Sequence, residues 1–368
     1  MPKNSRMPKK SKHVGISKEL LAKFKLYSEY AAAAYCIDNN NSPETRVTCP
    51  CNNCKLVEAA NATTISEFEN TIKTDDTGFI AIDKLHKVIV LAFRGSRSKK
   101  NWFADLDITR RNTDLCHGCR VHEGFWKSWT EAAPVVIPKI QEAVVKYPDY
   151  GVVVTGHSLG AAVATLAAAG IRKLDRHLAD KTELYTFGSP RVGDETTAEF
   201  LTRQSNKSYR VTAVNDFIPR LPGKILHYKH MSPEYWIDKN PDNPSTADIV
   251  VVTGTYNTDG NSGRHGISHK AHGHYLGPIV KCDSSTKAKF SKAGHKRDVS
   301  RGLNRVGGVA LNLLAPYINA SMLTVQDSTL GRSITFPPGS VADVALEAVH
   351  GPDAGQDAST TVFFGADD

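Results

Sequence analysis

The chain has 368 residues, 40% hydrophobic and 23% charged, with a formal net charge of +8. That length buries a full core in one large domain or two ordinary ones, and no apolar run reaches the ~18 residues a membrane span requires. The positive charge gathers at the ends, with Lys3, Arg6, Lys9, Lys10 and Lys12 at the start and seven Lys/Arg against Asp298 in residues 284–305, while residues 14–283 carry only about +3. Basic and aromatic residues do not interleave, so nucleic acid is not an expected partner.

In chain order, the first twelve residues are basic without an apolar core, which is not a complete secretory signal. Ser17 reads as the N-cap of an amphipathic helix, with Leu20, Leu21, Phe24, Tyr27, Ala31 and Tyr35 at helical spacing. Residues 37–55 are polar and cysteine-rich and read as a pinned loop. Strands are predicted at Gly78–Ile82, Lys87–Phe93, Gly151–Thr155, Leu184–Phe187 and Tyr209–Asn215, and helices at Glu131–Tyr147, Ala161–Leu174 and Asp194–Gln204. Such alternation implies an α/β fold, a mostly parallel sheet flanked by helices. Composition changes after Cys282. The expected organisation is a domain over 14–283, a basic Lys/Ser-rich linker over 284–301 and a C-terminal extension over 302–368. That extension either docks through the apolar residues Val306–Leu314 or is disordered, and the dibasic pair Lys296-Arg297 reads as a processing site.

Cysteines stand at 36, 49, 51, 54, 116, 119 and 282. Cys51-x-x-Cys54 and Cys116-x-x-Cys119 have the spacing of half zinc sites, but about 60 residues separate them, against ~15–20 in a zinc ribbon. Disulfides of an extracellular protein are the better reading, with no metal and one thiol left over. Sequons at Asn40, Asn61, Asn206 and Asn319 are compatible with secretion.

The chemistry centres on Gly156-His157-Ser158-Leu159-Gly160, between the apolar run Val152–Thr155 and the helix-forming run Ala161–Ala169. This is G-x-S-x-G in strand–turn–helix context, a nucleophile elbow with Ser158 at its tip. A serine hydroxyl needs a histidine to take its proton and a carboxylate to orient that histidine. In α/β-hydrolases they follow in the order serine, acid, histidine. Asp216 ends the run Val211–Asn215, where a strand's C-terminal end places catalytic groups. Four histidines, His265, His269, His272 and His274, precede Cys282, and the residues alone leave His272 and His274 both open as the base. His157 reads as structural. Oxyanion donors are expected from the Leu159 N–H and from Ser96, just after Val88–Phe93. Trp102, Phe103 and Leu106 then fall on one helical face, either a core helix or an amphipathic lid.

Taken together, several stretches resemble the secreted filamentous-fungal triacylglycerol lipases of the class 3 lipase family. They include Ala31–Cys36, Phe93-Arg94-Gly95-Ser96, Asn101-Trp102, Cys116-His117-Gly118-Cys119-Arg120, Gly156–Gly160, Pro190–Gly193, Asn215-Asp216, Pro219–Pro222 and Ser232–Trp236, within about residues 20–282. The resemblance implies an α/β-hydrolase fold with Ser158 as nucleophile, Asp216 as acid and His272 as base. It implies Ser96 and Leu159 as oxyanion donors, Trp102 in a lid, and disulfides Cys36–Cys282, Cys49–Cys54 and Cys116–Cys119. Cys51 departs from that pattern, as does Ala161 where a glycine is usual. The implied activity is secreted, cofactor-free hydrolysis of acylglycerols at a lipid–water interface. A feruloyl-type esterase or a phospholipase A1 is the alternative.

Overall fold

The computed structural model describes residues 15–39, 43–68, 77–96 and 108–284, with the backbone of three strands further on. Eight strands form one sheet in the order β1-β2-β3-β6-β7-β8-β9-β10. They are β1 (Thr63–Phe68), β2 (Gly78–Asp83), β3 (Val88–Phe93), β6 (Gly151–His157), β7 (Thr182–Phe187), β8 (Ser208–Ala213), β9 (Glu234–Ile237) and β10 (Ile249–Val252). The run β3-β6-β7-β8-β9 is parallel. β1, β2 and β10 join its two ends antiparallel. The short ribbon β4 (Arg110–Asn112) and β5 (Arg120–His122) lies outside this sheet.

Burial on both faces explains why the central strands are continuous apolar runs. Every residue of β3 is buried. Ile89, Leu91, Val152 and Val154 enter one apolar layer, while Val90, Ala92 and Val153 enter the other, the two-residue period of a strand. The first layer packs beneath α3 (Glu123–Lys146) and α4 (Leu159–Leu174), the second beneath α1 (Lys18–Ala33).

Ser17 caps α1, its side chain accepting the Leu20 N–H at 3.1 Å. Phe24 of α1 packs edge-on against Tyr185, Tyr209 and Tyr235, one from each of three adjacent strands. α3 begins eight residues before the predicted start at Glu131, and contains Pro134 and Pro138. Both prolines are exposed, so the carbonyls that lose an N–H partner to them can face water and the helix continues. β9 and β10 were not anticipated. β9 opens on Glu234, a residue that disfavours a buried strand unless it is paired, and here Thr212 donates to it at 2.5 Å while Arg210 approaches at 3.7 Å.

Three disulfides are formed, Cys36–Cys282, Cys49–Cys54 and Cys116–Cys119, and Cys51 retains its thiol. The sulfurs of Cys36, Cys49 and Cys282 lie within 4.8 Å of one another, but as disulfides they offer no thiolate to a metal. In the C-terminal extension, β11 (Leu323–Asp327) pairs antiparallel with β12 (Arg332–Phe336) and β13 (Thr360–Phe364), giving that segment a sheet of its own. The apolar residues Val306–Leu314 lie outside the described residues.

Cys36–Cys282 ties the end of α1 to the last segment of the domain across 246 residues. Closing so long a loop removes unfolded-state entropy worth about 5.5 kcal/mol in the chain-entropy account. The double variant Cys36→Ala/Cys282→Ala is expected to lose about that much stability in equilibrium denaturant unfolding.

Candidate active site

Ser158 sits between β6 and α4 at φ 58° and ψ −127°. That backbone lies outside the regions L residues adopt cheaply and costs about 1–3 kcal/mol. The turn closes because its flanks lack side chains: a Cβ on Gly156 would stand 2.4 Å from the Gly160 carbonyl oxygen, and one on Gly160 2.5 Å from the carbonyls of Phe93 and Arg94. The Ser158 N–H donates to the Phe187 carbonyl at 3.0 Å, which fixes the serine against the end of β7. The Leu159 N–H opens the first turn of α4, where backbone donors lack intrahelical acceptors and the helix end is positive.

His272 closes the short helix α7 (His269–His272), capped by Ser268, whose side chain accepts the Ala271 N–H at 3.0 Å. Its Nε2 lies 2.8 Å from Ser158 Oγ and its Nδ1 2.8 Å from Asp216 Oδ2. All three side chains are buried. Asp216 follows β8 through Val214, held at φ 33°, a strained value for a β-branched residue. Its Oδ1 accepts the Ile218 N–H at 3.0 Å, and Asn261 donates to its carbonyl at 2.7 Å. These bonds leave the carboxylate one orientation.

Two residues not picked out as site partners reinforce this arrangement. Tyr275 donates its hydroxyl to Asp216 Oδ2 at 2.5 Å, so that oxygen receives both Tyr275 and His272. Burial first, and then the Asp216 charge, push the Tyr275 phenol well above its ordinary value, which keeps it a donor. His157, read as structural, lies 2.7 Å through Nε2 from the His272 carbonyl and 2.8 Å through Nδ1 from the Tyr35 hydroxyl. A carbonyl only accepts, so Nε2 carries the proton and, in the neutral ring, Tyr35 donates to Nδ1. Tyr275 lies three residues beyond His272, a spacing that signals nothing outside the fold.

The remaining histidines separate. His274 Nδ1 pairs with Asp242 at 2.5 Å, and His269 packs edge-on against Phe217. His265 is exposed. Ser96 is half-buried after β3. A Cβ on its neighbour Gly95 would stand 2.1 Å from the Tyr35 hydroxyl and 3.1 Å from Ser158 Cβ, so the segment before Ser96 is pressed against the serine. Trp102, Phe103 and Leu106 lie outside the described residues.

The arrangement suits a hydroxyl nucleophile activated by a histidine, with backbone donors near where an oxyanion would form. The sequence pattern described as Lipase (class 3) matches residues 90–226. The secreted mono- and diacylglycerol lipase A of Penicillium cyclopium is 42% identical over 260 residues, 70% of this chain and 84% of the relative. The secreted mono- and diacylglycerol lipase 1 of Fusarium solani is 38% identical over 271 residues, 73% of this chain and 80% of the relative. The crystal structure of a mono- and diacylglycerol lipase from Aspergillus oryzae superposes with a TM-score of 0.67 at 37% identity, covering 73% of this chain and 99% of its own. By sequence and by fold, the chain belongs to the class 3 lipase family and is a carboxylic ester hydrolase with an α/β-hydrolase fold.

Proposed function

We propose that the protein is a secreted lipase that cleaves acylglycerol esters through an acyl-enzyme on Ser158. The observation that carries the mechanism is the chain of contacts from Ser158 Oγ to His272 Nε2, and from His272 Nδ1 to Asp216, each 2.8 Å. Ser158 Oγ attacks the ester carbonyl while His272 Nε2 takes its proton. The carbonyl oxygen becomes an oxyanion, held by the Leu159 N–H and by the N–H and hydroxyl of Ser96. Collapse breaks the ester C–O bond, and His272 returns the proton to the leaving glycerol oxygen. Water, deprotonated by His272, then attacks the acyl carbon, releasing fatty acid and regenerating Ser158. Asp216 holds the histidine tautomer and stabilises the imidazolium without taking the proton.

Acylglycerols are the substrate class. The names of the Penicillium and Fusarium relatives bring mono- and diacylglycerols to the front of the substrate panel, beside triacylglycerol. A panel of mono-, di- and trioleoylglycerol, phosphatidylcholine and a feruloyl ester is expected to show turnover of the acylglycerols. Turnover of the feruloyl ester alone overturns the reading.

Ser158→Ala is expected to lower kcat by about 10⁴-fold or more, and Asp216→Asn by about 10⁴-fold through loss of the productive tautomer. Both are checked by initial rates on one soluble short-chain ester.

Tyr275→Phe removes a bond to an ionised carboxylate, an interaction of about 1.5–3 kcal/mol. It is expected to lower kcat about tenfold or more with KM nearly unchanged. An unaltered kcat removes Tyr275 from the mechanism.

The apolar residues Trp102, Phe103 and Leu106 support interfacial activation. The rate is expected to jump as ester concentration passes its solubility limit, and a smooth rise through that limit argues instead for an esterase on dissolved substrate.

A further inference from the structure

The loops that leave the C-terminal ends of β3, β7 and β8 carry Ser96, Gly188 and Asp216. The stretch that follows Asp216 on this edge is cationic. Between residues 217 and 233 stand Arg220, Lys224 and Lys229, with no Asp or Glu. This stretch is joined to the β4–β5 ribbon through backbone pairing: Arg111 opposes Val121, Val121 pairs with Gly193, and Gly193 with Lys229. At about 4.8 Å per neighbouring segment, the backbones of Arg111 and Lys229 lie within about 15 Å.

Arg110 donates to the His227 carbonyl at 3.3 Å and lies over the Tyr228 ring. Burial, followed by the charge of Arg120, draws its guanidinium below the ordinary value, while Tyr228 and Asp194 oppose the shift. At the centre is Tyr256, 52% exposed. The ammonium groups of Lys224 and Lys229 sit 4.0 and 4.4 Å from the centre of its ring. Two like charges sharing one exposed ring repel each other, and a facing anion relieves that repulsion.

We propose that this surface, Lys224 and Lys229 around Tyr256 with Arg110 beside Tyr228, holds the enzyme on lipid made anionic by free fatty acid. The inference rests on the acylglycerol reading, because each turnover of that reaction leaves a carboxylate in the lipid surface. The enzyme's product thereby builds the counter-charge. A tyrosine ring and lysine stems suit the boundary between lipid and water, with the polar ends at headgroup depth. Each lysine or arginine beside an anionic lipid surface strengthens partition about fivefold, within about a Debye length.

The test uses the full chain carrying Ser158→Ala, so that turnover does not alter the lipid. Co-sedimentation is measured with phosphatidylcholine vesicles, and with the same vesicles containing oleic acid at alkaline pH, where the acid is ionised. The expected result is preferential binding to the oleate vesicles that added salt weakens. Adding Lys224→Gln and Lys229→Gln is expected to weaken oleate-vesicle binding about 25-fold and to leave phosphatidylcholine binding unchanged. In the chain with Ser158 intact, the same two substitutions leave soluble-ester turnover unchanged. The basic ends of the chain are common to both proteins, so the difference isolates this surface. Equal binding with and without the two lysines overturns the proposal. Loss of acylglycerol turnover in the wild type, with the lysine-dependent preference intact, overturns the acylglycerol reading alone.

Discussion

A serine held at φ 58° is stable only where strand and helix close tightly around it. That closure organises the molecule. It requires no side chain at Gly156 or Gly160, since either Cβ would meet backbone oxygen at 2.4–2.5 Å. It also requires α4 to lie flat on the sheet, and its run of buried alanines allows this. Gly170 continues the close approach on the far side, where a Cβ would touch the Trp129 ring of α3 at 3.0 Å. The strain at one residue is thus held by packing across two helices and the parallel strands beneath them.

The histidine is fixed by a different device. His272 comes from a helix of four residues, too short to be rigid alone. It is held at three points: its Nδ1 by Asp216, its carbonyl by His157, and its segment by the Cys36–Cys282 disulfide ten residues on. Tyr35 and Cys36 are adjacent at the end of α1, so one helix end serves both the His157 bond and the disulfide. Gly188 makes room where these parts converge. A Cβ there would stand 3.1 Å from Asp216 Oδ2 and 3.2 Å from His272 Cε1. Because both partners of the serine are pre-oriented, little reorganisation is needed when charge moves onto the histidine.

Much of the central sheet and its largest helices were readable because their signals are local. The apolar runs of β3 and β6 and the alanine run of α4 each state their own structure. β9 was not readable, because Glu234 is acceptable in a buried strand only once Thr212 and Arg210 reach it from β8. The start of α3 was missed because its N-cap is His122, which accepts the Phe125 N–H at 3.3 Å in place of the usual Ser, Thr, Asp or Asn, and Gly124 stands in its first turn. At the site, Ser158 and Asp216 follow from chain order and strand ends. Choosing His272 over His274 from the residues alone was not possible, since the difference lies in Asp242, 32 residues away from His274, which pairs with it. Tyr35 pairs with His157 across 122 residues, His157 with His272 across 115 and Tyr275 with Asp216 across 59. Contacts of that range carry no sequence period.

The central claim, that Ser158 is a nucleophile activated by His272, is tested most directly by covalent trapping. A fluorophosphonate is added to the full chain, and the labelled peptide is identified by mass spectrometry while its rate of formation is followed. The account predicts one adduct per chain, on Ser158, forming at a rate that collapses in His272→Ala. Labelling elsewhere, or an equal rate without the histidine, contradicts it.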